Sequence, residues 1–232
     1  VRCWGGGYSG QLGYGNLNPI GDNELPETAG NVNVGAGVVV VQVSAGGSHT
    51  CVVLDDGGIM CWGSSIAGQL GYGNKENVGA SEDPAAAGTV DLGSGAAAAQ
   101  VSAGKSHTCA VLTTGLLMCW GFGSNGRLGY GNTNNIGDNE HPSAAGAVNL
   151  GAGLAAAQVS AGDSHTCAVL TNGGVMCWGT AFSGRLGYSN FNHIGDNEHP
   201  AAAGQVNLGG GRAAARVAAG QSHTCVLLTS GE

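Results

Sequence analysis

The chain has 232 residues, of which 46 are glycine, while only 9% are charged and 5% are aromatic. Its 42% hydrophobic content is enough for a folded core, and no run of 18 apolar residues is present that would predict a membrane-spanning helix. Seven Lys and Arg against fifteen Asp and Glu give a net charge of −8, and the basic residues are scattered, which disfavours nucleic-acid binding.

The whole sequence divides into four consecutive copies of one 58-residue repeat. The cysteines fall in two columns with that spacing: Cys3, Cys61, Cys119 and Cys177, and Cys51, Cys109, Cys167 and Cys225. The copies are residues 1–58, 59–116, 117–174 and 175–232, which we treat as a single repeat domain. Repeats of this length indicate a propeller or a similar array.

Within each copy the segments predict short strands, not helices. Taken along the chain, an apolar, mostly Ala-rich run leads into VSAG, followed by SHTCVVL, a hairpin turn at 55–58 and IMCWG, all bounded by glycine. A further short strand is predicted at 88–93 and its counterparts. The fold class is therefore predicted as all-β: a β-propeller of four 58-residue blades, each with about four short antiparallel strands and the Ala-rich run innermost.

The recurring pattern VSAGxSHTCxxL, turn, MCWG, GxLGYGN resembles the repeat of the regulator of chromosome condensation (alpha-tubulin suppressor-like) family. The cysteine pair and the GDNE segment resemble the bacterial, exported branch of that family, although the nuclear exchange role is not carried over. Members of the family usually close as seven blades and act mostly by binding proteins. The resemblance therefore implies a propeller that works through protein partners.

The cysteines predict disulfides across the hairpins. Pairing residue 53 with 59 places Cys51 directly opposite Cys61, and the same spacing applies to Cys109 with Cys119 and to Cys167 with Cys177. An even cysteine count at fixed spacing favours an oxidising compartment, so we predict an extracellular, cell-surface or periplasmic location.

Cys225 and Cys3 remain, one in each half of a further hairpin. If the chain closes on itself, these two residues bond and a four-bladed ring results, which is the arrangement we favour from the sequence. The alternatives are a segment of a larger, seven-bladed propeller or array, and a polymer in which Cys225 of one chain pairs with Cys3 of the next.

No catalytic constellation stands out from the repeat. The histidines recur at one column between Ser and Thr, where a hydrogen-bonded structural imidazole is the simplest interpretation, and no nucleophile has a distinct base and orienting acid. We therefore predict that the chain is not an enzyme and requires no cofactor.

In three loops, a glycine is followed directly by the acidic sequence Asp-Asn-Glu. Their carboxylates are Asp22, Glu24, Asp138, Glu140, Asp196 and Glu198. These oxygens suit calcium if other ligands complete the shell, and they equally suit local hydrogen bonds that hold the turn.

Side chains that break the repeat pattern lie in loops after the MCWG segments. They are Tyr8, Ile66, Phe122, Phe182 and, after the GYGN motif, Phe191. Because core aromatics recur in every copy, these residues predict a recognition surface, unless each packs on its own blade. We predict a non-catalytic, extracellular protein-interaction or surface-display module. The alternatives are a lectin-like or calcium-dependent binder of small ligands such as carbohydrate, and a disulfide-linked structural polymer that associates through the Cys3 and Cys225 strands.

Overall fold

The computed structural model describes residues 1–231 and confirms the all-β prediction. Its eleven strands form three three-stranded antiparallel sheets and one two-stranded sheet. The strands are β1 Val40–Ala45, β2 His49–Leu54, β3 Ile59–Gly63, β4 Ala98–Ala103, β5 His107–Leu112, β6 Leu117–Gly121, β7 Ala156–Ala161, β8 His165–Leu170, β9 Val175–Gly179, β10 Ala214–Ala219 and β11 Thr224–Leu228.

The helices are short and lie in the loops. Three are 3₁₀ turns, at Pro84–Ala86, Ser124–Gly126 and Phe182–Gly184, and two are single α-helical turns, Pro142–Ala145 and Pro200–Ala203. None of the helices in residues 1–231 is long and apolar enough to cross a membrane.

Each complete sheet combines strands from two successive repeats. The first and second strands come from one repeat, and the third comes from the start of the next, as in β1–β2–β3 with β3 beyond residue 58. The innermost strands β1, β4, β7 and β10 contact one another in succession, which confirms the predicted place of the run before VSAG.

The hairpin register is the predicted one. Val53 lies opposite Ile59 and Cys51 lies opposite Cys61, with their Cα atoms 4.1 Å apart. Disulfides join Cys51–Cys61, Cys109–Cys119 and Cys167–Cys177, and all six cysteines are buried in a core that also holds Trp62, Trp120 and Trp178.

The predicted fourth strand at 88–93 does not form. The segment is flanked by Gly88 and Gly93, both with positive φ, and makes one backbone bond of 2.8 Å to the third strand, from Val90 N–H to Ile59 O. The Tyr72 hydroxyl takes the place of further pairing, because it accepts the N–H of Cys61 and lies 3.1 Å from the carbonyl oxygen of Gly88. Burial raises the pKa of this phenol to about 12.

The predicted closed ring is wrong for this structure. Cys3 and Cys225 are unpaired, and the edge of β1 is open: Val43 is 54% exposed, whereas its counterpart Val101, covered by the preceding blade, is 1% exposed. Each blade meets the next through the same contacts, described below, so each step turns the chain in the same way. Three such interfaces join the four blades, and the first and last blades remain apart as the two ends of an open arc.

Candidate functional site

Neighbouring blades are joined near the axis by a repeated set of hydrogen bonds, which we call the interblade ladder. The Gln42 side chain donates to Val101 O and accepts from Val101 N–H, both at 2.9 Å, and Ser44 Oγ accepts the N–H of Ala103 at 3.0 Å. The same bonds recur from Gln100 and Ser102 to the third blade, and from Gln158 and Ser160 to the fourth. The ladder fixes the orientation of one blade on the next.

The recurring histidines also lie between blades. His49 Nε2 is 2.8 Å from Thr108 Oγ1, and that hydroxyl donates its only hydrogen to Gln69 O, so the imidazole carries its proton on Nε2. The other ring nitrogen, Nδ1, has no partner, and burial lowers the pKa of His49 to about 4. His107 and His165 bond Thr166 and Thr224 in the same way, which supports the interpretation of a hydrogen-bonded structural imidazole.

The loop after each CWG segment is anchored to the blade that follows it in the chain. The carbonyl oxygen of Gln11 accepts hydrogen bonds from Thr50 Oγ1 at 2.9 Å and from Trp62 Nε1 at 3.0 Å. Gln69 O receives equivalent bonds from Thr108 and Trp120. These loops are therefore fixed at their bases although their tips vary in sequence.

All the variable loops lie at one end of the blades. Ser64, directly after β3, donates its backbone N–H to Ser48 O in the turn between β1 and β2, whereas the β2–β3 hairpin turn at 55–58 lies at the opposite end. We call this end the variable-loop face; it comprises residues 6–9, 64–67, 122–125 and 180–183 with the adjacent β1–β2 turns and their counterparts.

The predicted recognition residues are exposed on this face. Tyr8, Ile66 and Phe182 occupy the same repeat column and are 75%, 72% and 58% exposed. Phe191 is exposed in its own loop. Three of the four variable loops, the first, second and fourth, thus present a large apolar side chain at an equivalent position.

Two of the aromatic residues also contact another side chain of their own repeat. The Arg127 guanidinium carbon lies 4.8 Å from the ring centroid of Phe122, and the ring of Phe182 meets that of His193 edge-on with centroids 5.0 Å apart. Phe122 is the least exposed of the five candidates. Packing on the parent blade therefore accounts for Phe122 better than for Tyr8 or Ile66.

Sequence reasoning missed a polar column on the same face. The variable residue of VSAGxSHTC is Gly47, Lys105, Asp163 or Gln221, and the four turns line a cavity of about 330 Å³ at the axis. Lys105 Nζ lies 3.4 Å from Asp163 Oδ2, and the buried Arg127 donates to the Asp163 carbonyl at 3.0 Å. The signal was present, because this position differs in every copy, whereas the rest of the motif varies only at Ala218.

Two carboxylates of the acidic loops have partners within the protein. Glu24 accepts the backbone N–H of Gly21 at 2.9 Å, which closes its own turn, and Asp138 forms an ion pair with Lys75 at 3.2 Å. Within residues 1–231, no group of three or more His, Cys, Asp or Glu side chains could hold a metal ion. The turn-holding interpretation fits Glu24, whereas Asp138 pairs with a lysine of the preceding repeat.

The repeat is recognised by two models of the regulator of chromosome condensation (RCC1) repeat. One matches residues 40–69, 98–127 and 156–185, and the other matches 2–53 and 114–169. The human probable E3 ubiquitin-protein ligase HERC6 is 33% identical over 192 residues, covering 82% of this chain and 17% of that protein. The ultraviolet-B receptor UVR8 of Arabidopsis thaliana is 33% identical over 195 residues, covering 83% of this chain and 40% of that protein. The chain thus spans less than half of either relative.

Solved structures share the fold. Human WBSCR16 superposes with a TM-score of 0.72 at 24% identity, covering 98% of this chain and 52% of that one. Prp20p from Saccharomyces cerevisiae gives a TM-score of 0.68 at 19% identity, covering 97% of this chain and 51% of that one. With four copies of the matching motif in register and the same propeller architecture, the chain belongs to the RCC1 repeat family.

Proposed function

We propose that this chain is a non-catalytic protein-interaction or surface-display propeller that works outside the cytoplasm and binds its partner through the variable-loop face. The observation that carries the proposal is the set of exposed apolar side chains at one repeat column, Tyr8, Ile66 and Phe182. Large exposed side chains of this kind are typical anchors of protein interfaces.

The anchored loop bases support the same function. Because Gln11 O and Gln69 O are each held by a Thr and a Trp of the following blade, binding need not first order these loops. A surface that is already ordered loses less conformational entropy on association and so retains more of its contact energy as affinity.

Relatives of this fold supply an analogy. The Prp20p structure is described with its binding to Gsp1p and histones, and yeast RCC1 (Prp20) is described bound to Kap60. These are uses of the fold by other proteins, and they favour a protein partner here only at the level of architecture. The three disulfides favour an oxidising compartment for this chain.

Carbohydrate is the second candidate ligand. A groove of about 590 Å³ in the first repeat is lined by Tyr14, Asn16 and Glu24 among others, and a groove of about 370 Å³ in the fourth is lined by the equivalent Tyr188, Asn190 and Glu198. A lectin would use such equivalent grooves, so it would titrate with more than one site per chain. A protein partner on the variable-loop face would titrate with one.

The test compares three proteins on arrays of extracellular protein domains and of glycans: the natural chain, Tyr8→Ser/Ile66→Ser/Phe182→Ser, and Leu116→Ser. Serine is the residue that the third repeat carries at the same column, as Ser124, and Leu116 is an exposed apolar residue at the opposite, hairpin end. We expect one protein ligand at a ratio of one to one, with the triple variant weakened by roughly 100-fold or more and the Leu116 variant unchanged.

Two results would overturn the proposal. Equal loss of binding in the Leu116 variant would place the interface elsewhere. Glycan binding with several equivalent sites, unaffected by the triple substitution, would favour the lectin-like candidate.

A further inference from the structure

The tip of each variable loop is a β-turn of four residues. In the second repeat Gly68 donates its backbone N–H to Ser65 O at 2.9 Å, and in the third Gly126 donates to Gly123 O at 3.1 Å. The first and fourth repeats carry the same bond. The second residues of the four turns, in chain order, are Tyr8, Ile66, Ser124 and Phe182.

The backbone of these turns falls into two classes. The third residue of the turn has a positive φ in the third and fourth repeats, 58° at Asn125 and 64° at Ser183, but not in the first and second, at Ser9 and Ala67. Type I and type II turns differ in this way, because the peptide between their second and third residues is rotated by nearly half a turn. The loop tips are therefore built in two forms on one scaffold.

The residue directly after the turn separates the repeats into the same two classes. Among residues 6–11 and their counterparts, it is the position that is shared pairwise: Gln11 and Gln69, then Arg127 and Arg185. The third residue of the turn does not decide the class, because Ser9 and Ser183 are both serine and only Ser183 has a positive φ.

Glutamine and arginine bond opposite ends of the rotated peptide. Gln69 Oε1 accepts the N–H of Ala67 at 2.9 Å, whereas Arg127 Nε donates to the carbonyl oxygen of Ser124 at 3.0 Å. The first and fourth repeats contain the equivalent bonds. Because a guanidinium has no acceptor for an N–H, glutamine holds this peptide with its N–H inward and arginine holds it with its C=O inward.

The two internal loops carry this comparison. The loops that contain Gln69 and Arg127 each lie between two three-stranded blades, and both side chains are buried. Arg127 is held by a second bond, from its Nη1 to Asp163 O at 3.0 Å in the turn of the following blade. Each side chain is therefore fixed by contacts inside the described chain.

The direction of the peptide decides which polar group lies beside the second residue of the turn. The N–H and C=O of a trans peptide point in opposite directions, so the group that is not bonded inward is presented outward. We propose that the glutamine or arginine at this column is a specificity-determining residue of the variable-loop face. Glutamine loops present a hydrogen-bond acceptor beside Tyr8 and Ile66, and arginine loops present a donor beside Ser124 and Phe182.

This pattern defines the partner's chemistry, a step that rests on the function proposed above. A protein that fits the variable-loop face offers hydrogen-bond donors to the first and second loops and acceptors to the third and fourth. A partner with the reverse arrangement would leave polar groups unpaired at the interface, which lowers its affinity.

The first test measures the turn itself and needs no partner. In Arg127→Gln the introduced acceptor should rotate the peptide, so that φ of Asn125 becomes negative and its amide exchanges about tenfold more slowly. Backbone chemical shifts and hydrogen exchange measured by NMR report both. Arg127→Lys is the matched control, because lysine has donors only and should leave φ of Asn125 positive.

The reciprocal variant transfers the arginine form to the second repeat. In Gln69→Arg/Ala67→Asn, which carries the residues of the third repeat at both positions, φ at position 67 should become positive, while Ala67→Asn alone should keep it negative. The proposal is overturned if φ of Asn125 stays positive in Arg127→Gln, if it becomes negative in Arg127→Lys as well, or if the two variants at position 67 have the same φ.

The second test measures recognition on the arrays of extracellular protein domains. The domain that binds the natural chain should bind Arg127→Gln about tenfold more weakly, because an outward donor has become an acceptor. A rotated peptide with unchanged affinity and selectivity would refute the role of this column in recognition and leave the proposed function standing. Absence of any bound domain would contradict the proposed function, whereas the NMR measurements would still decide whether this column sets the turn.

Discussion

At the scale of single residues, the histidine between two blades combines a structural role with sensitivity to acid. Its Nε2 proton is used in the bond to threonine, and its Nδ1 lies in the core without a partner. Protonation would therefore place a charge and an unpartnered N–H in a buried interface at three successive positions, His49, His107 and His165.

We predict that the protein loses stability as the pH falls from 7.5 to 5. The pKa of His49 and of His165 is lowered to about 4, and that of His107 lies well below its usual value, chiefly because of burial. In the unfolded chain these histidines titrate near pH 6.5, so between pH 7.5 and 5 the unfolded chain binds more protons than the folded one. The free energy of unfolding therefore decreases as the pH is lowered. Urea unfolding at several pH values measures the slope.

His107→Gln is the matched variant, since its side-chain amide can still donate to Thr166 and does not titrate. Between the folded and unfolded pKa values of this histidine, the slope of the free energy of unfolding against pH should decrease by roughly 1.4 kcal/mol per pH unit, which corresponds to about one proton. An unchanged slope would show that the interblade contact does not keep His107 neutral in the folded protein over this pH range.

At the scale of the structural element, the hairpin with its disulfide is the unit on which each blade depends. We predict that Cys109→Ala/Cys119→Ala lowers the free energy of unfolding by about 3 kcal/mol, because the cross-link closes a loop of about ten residues in the unfolded chain. Urea unfolding at pH 7.5 measures the difference. Cys225→Ser, which removes an exposed free thiol, is the control, and a double variant no less stable than this control would contradict the prediction.

The elements that could be read from the sequence are those whose pairing is local. The turn at 55–58 and the ten-residue spacing of Cys51 and Cys61 fix one register, and the structure has that register. The segment 88–93 could not be read in this way, because its pairing is replaced by a bond from a distant side chain, the hydroxyl of Tyr72.

The same distinction between local and distant contacts applies to the residues of the candidate site. Exposure of Tyr8 and Phe182 could be predicted, since residues outside the repeat pattern are not needed by its core. The Arg127–Phe122 contact could not, because it depends on how a loop folds over its own blade.

At the scale of the whole molecule, the arc leaves two thiols that the blades do not use. We predict that alkylation of the unfolded, unreduced protein modifies two cysteines per chain, Cys3 and Cys225, and that alkylation after reduction modifies all eight. Intact mass spectrometry measures both states. A single chain with no reactive thiol would restore the closed ring, whereas a ladder of masses that collapses on reduction would indicate the disulfide-linked polymer.

Closure is the property that local sequence could describe least. The complementary hairpin halves around Cys225 and Cys3 predict a ring, but whether they meet depends on the rotation at each blade interface. That rotation is set by contacts such as Gln42 with Val101, residues 59 apart in the chain, and it accumulates over all the interfaces.

The sharing of each sheet between two successive repeats has a consequence for how such proteins change length. As divided here at residues 59, 117 and 175, each 58-residue copy begins with a third strand, so it is out of phase with the sheet that folds. When one 58-residue copy is inserted or lost within the chain, the second strand before the junction is still followed by a third strand of the same sequence type. Every hairpin and every cysteine pair therefore stays intact. The number of blades can therefore change by one at a time during evolution, and no intermediate has to contain an incomplete sheet.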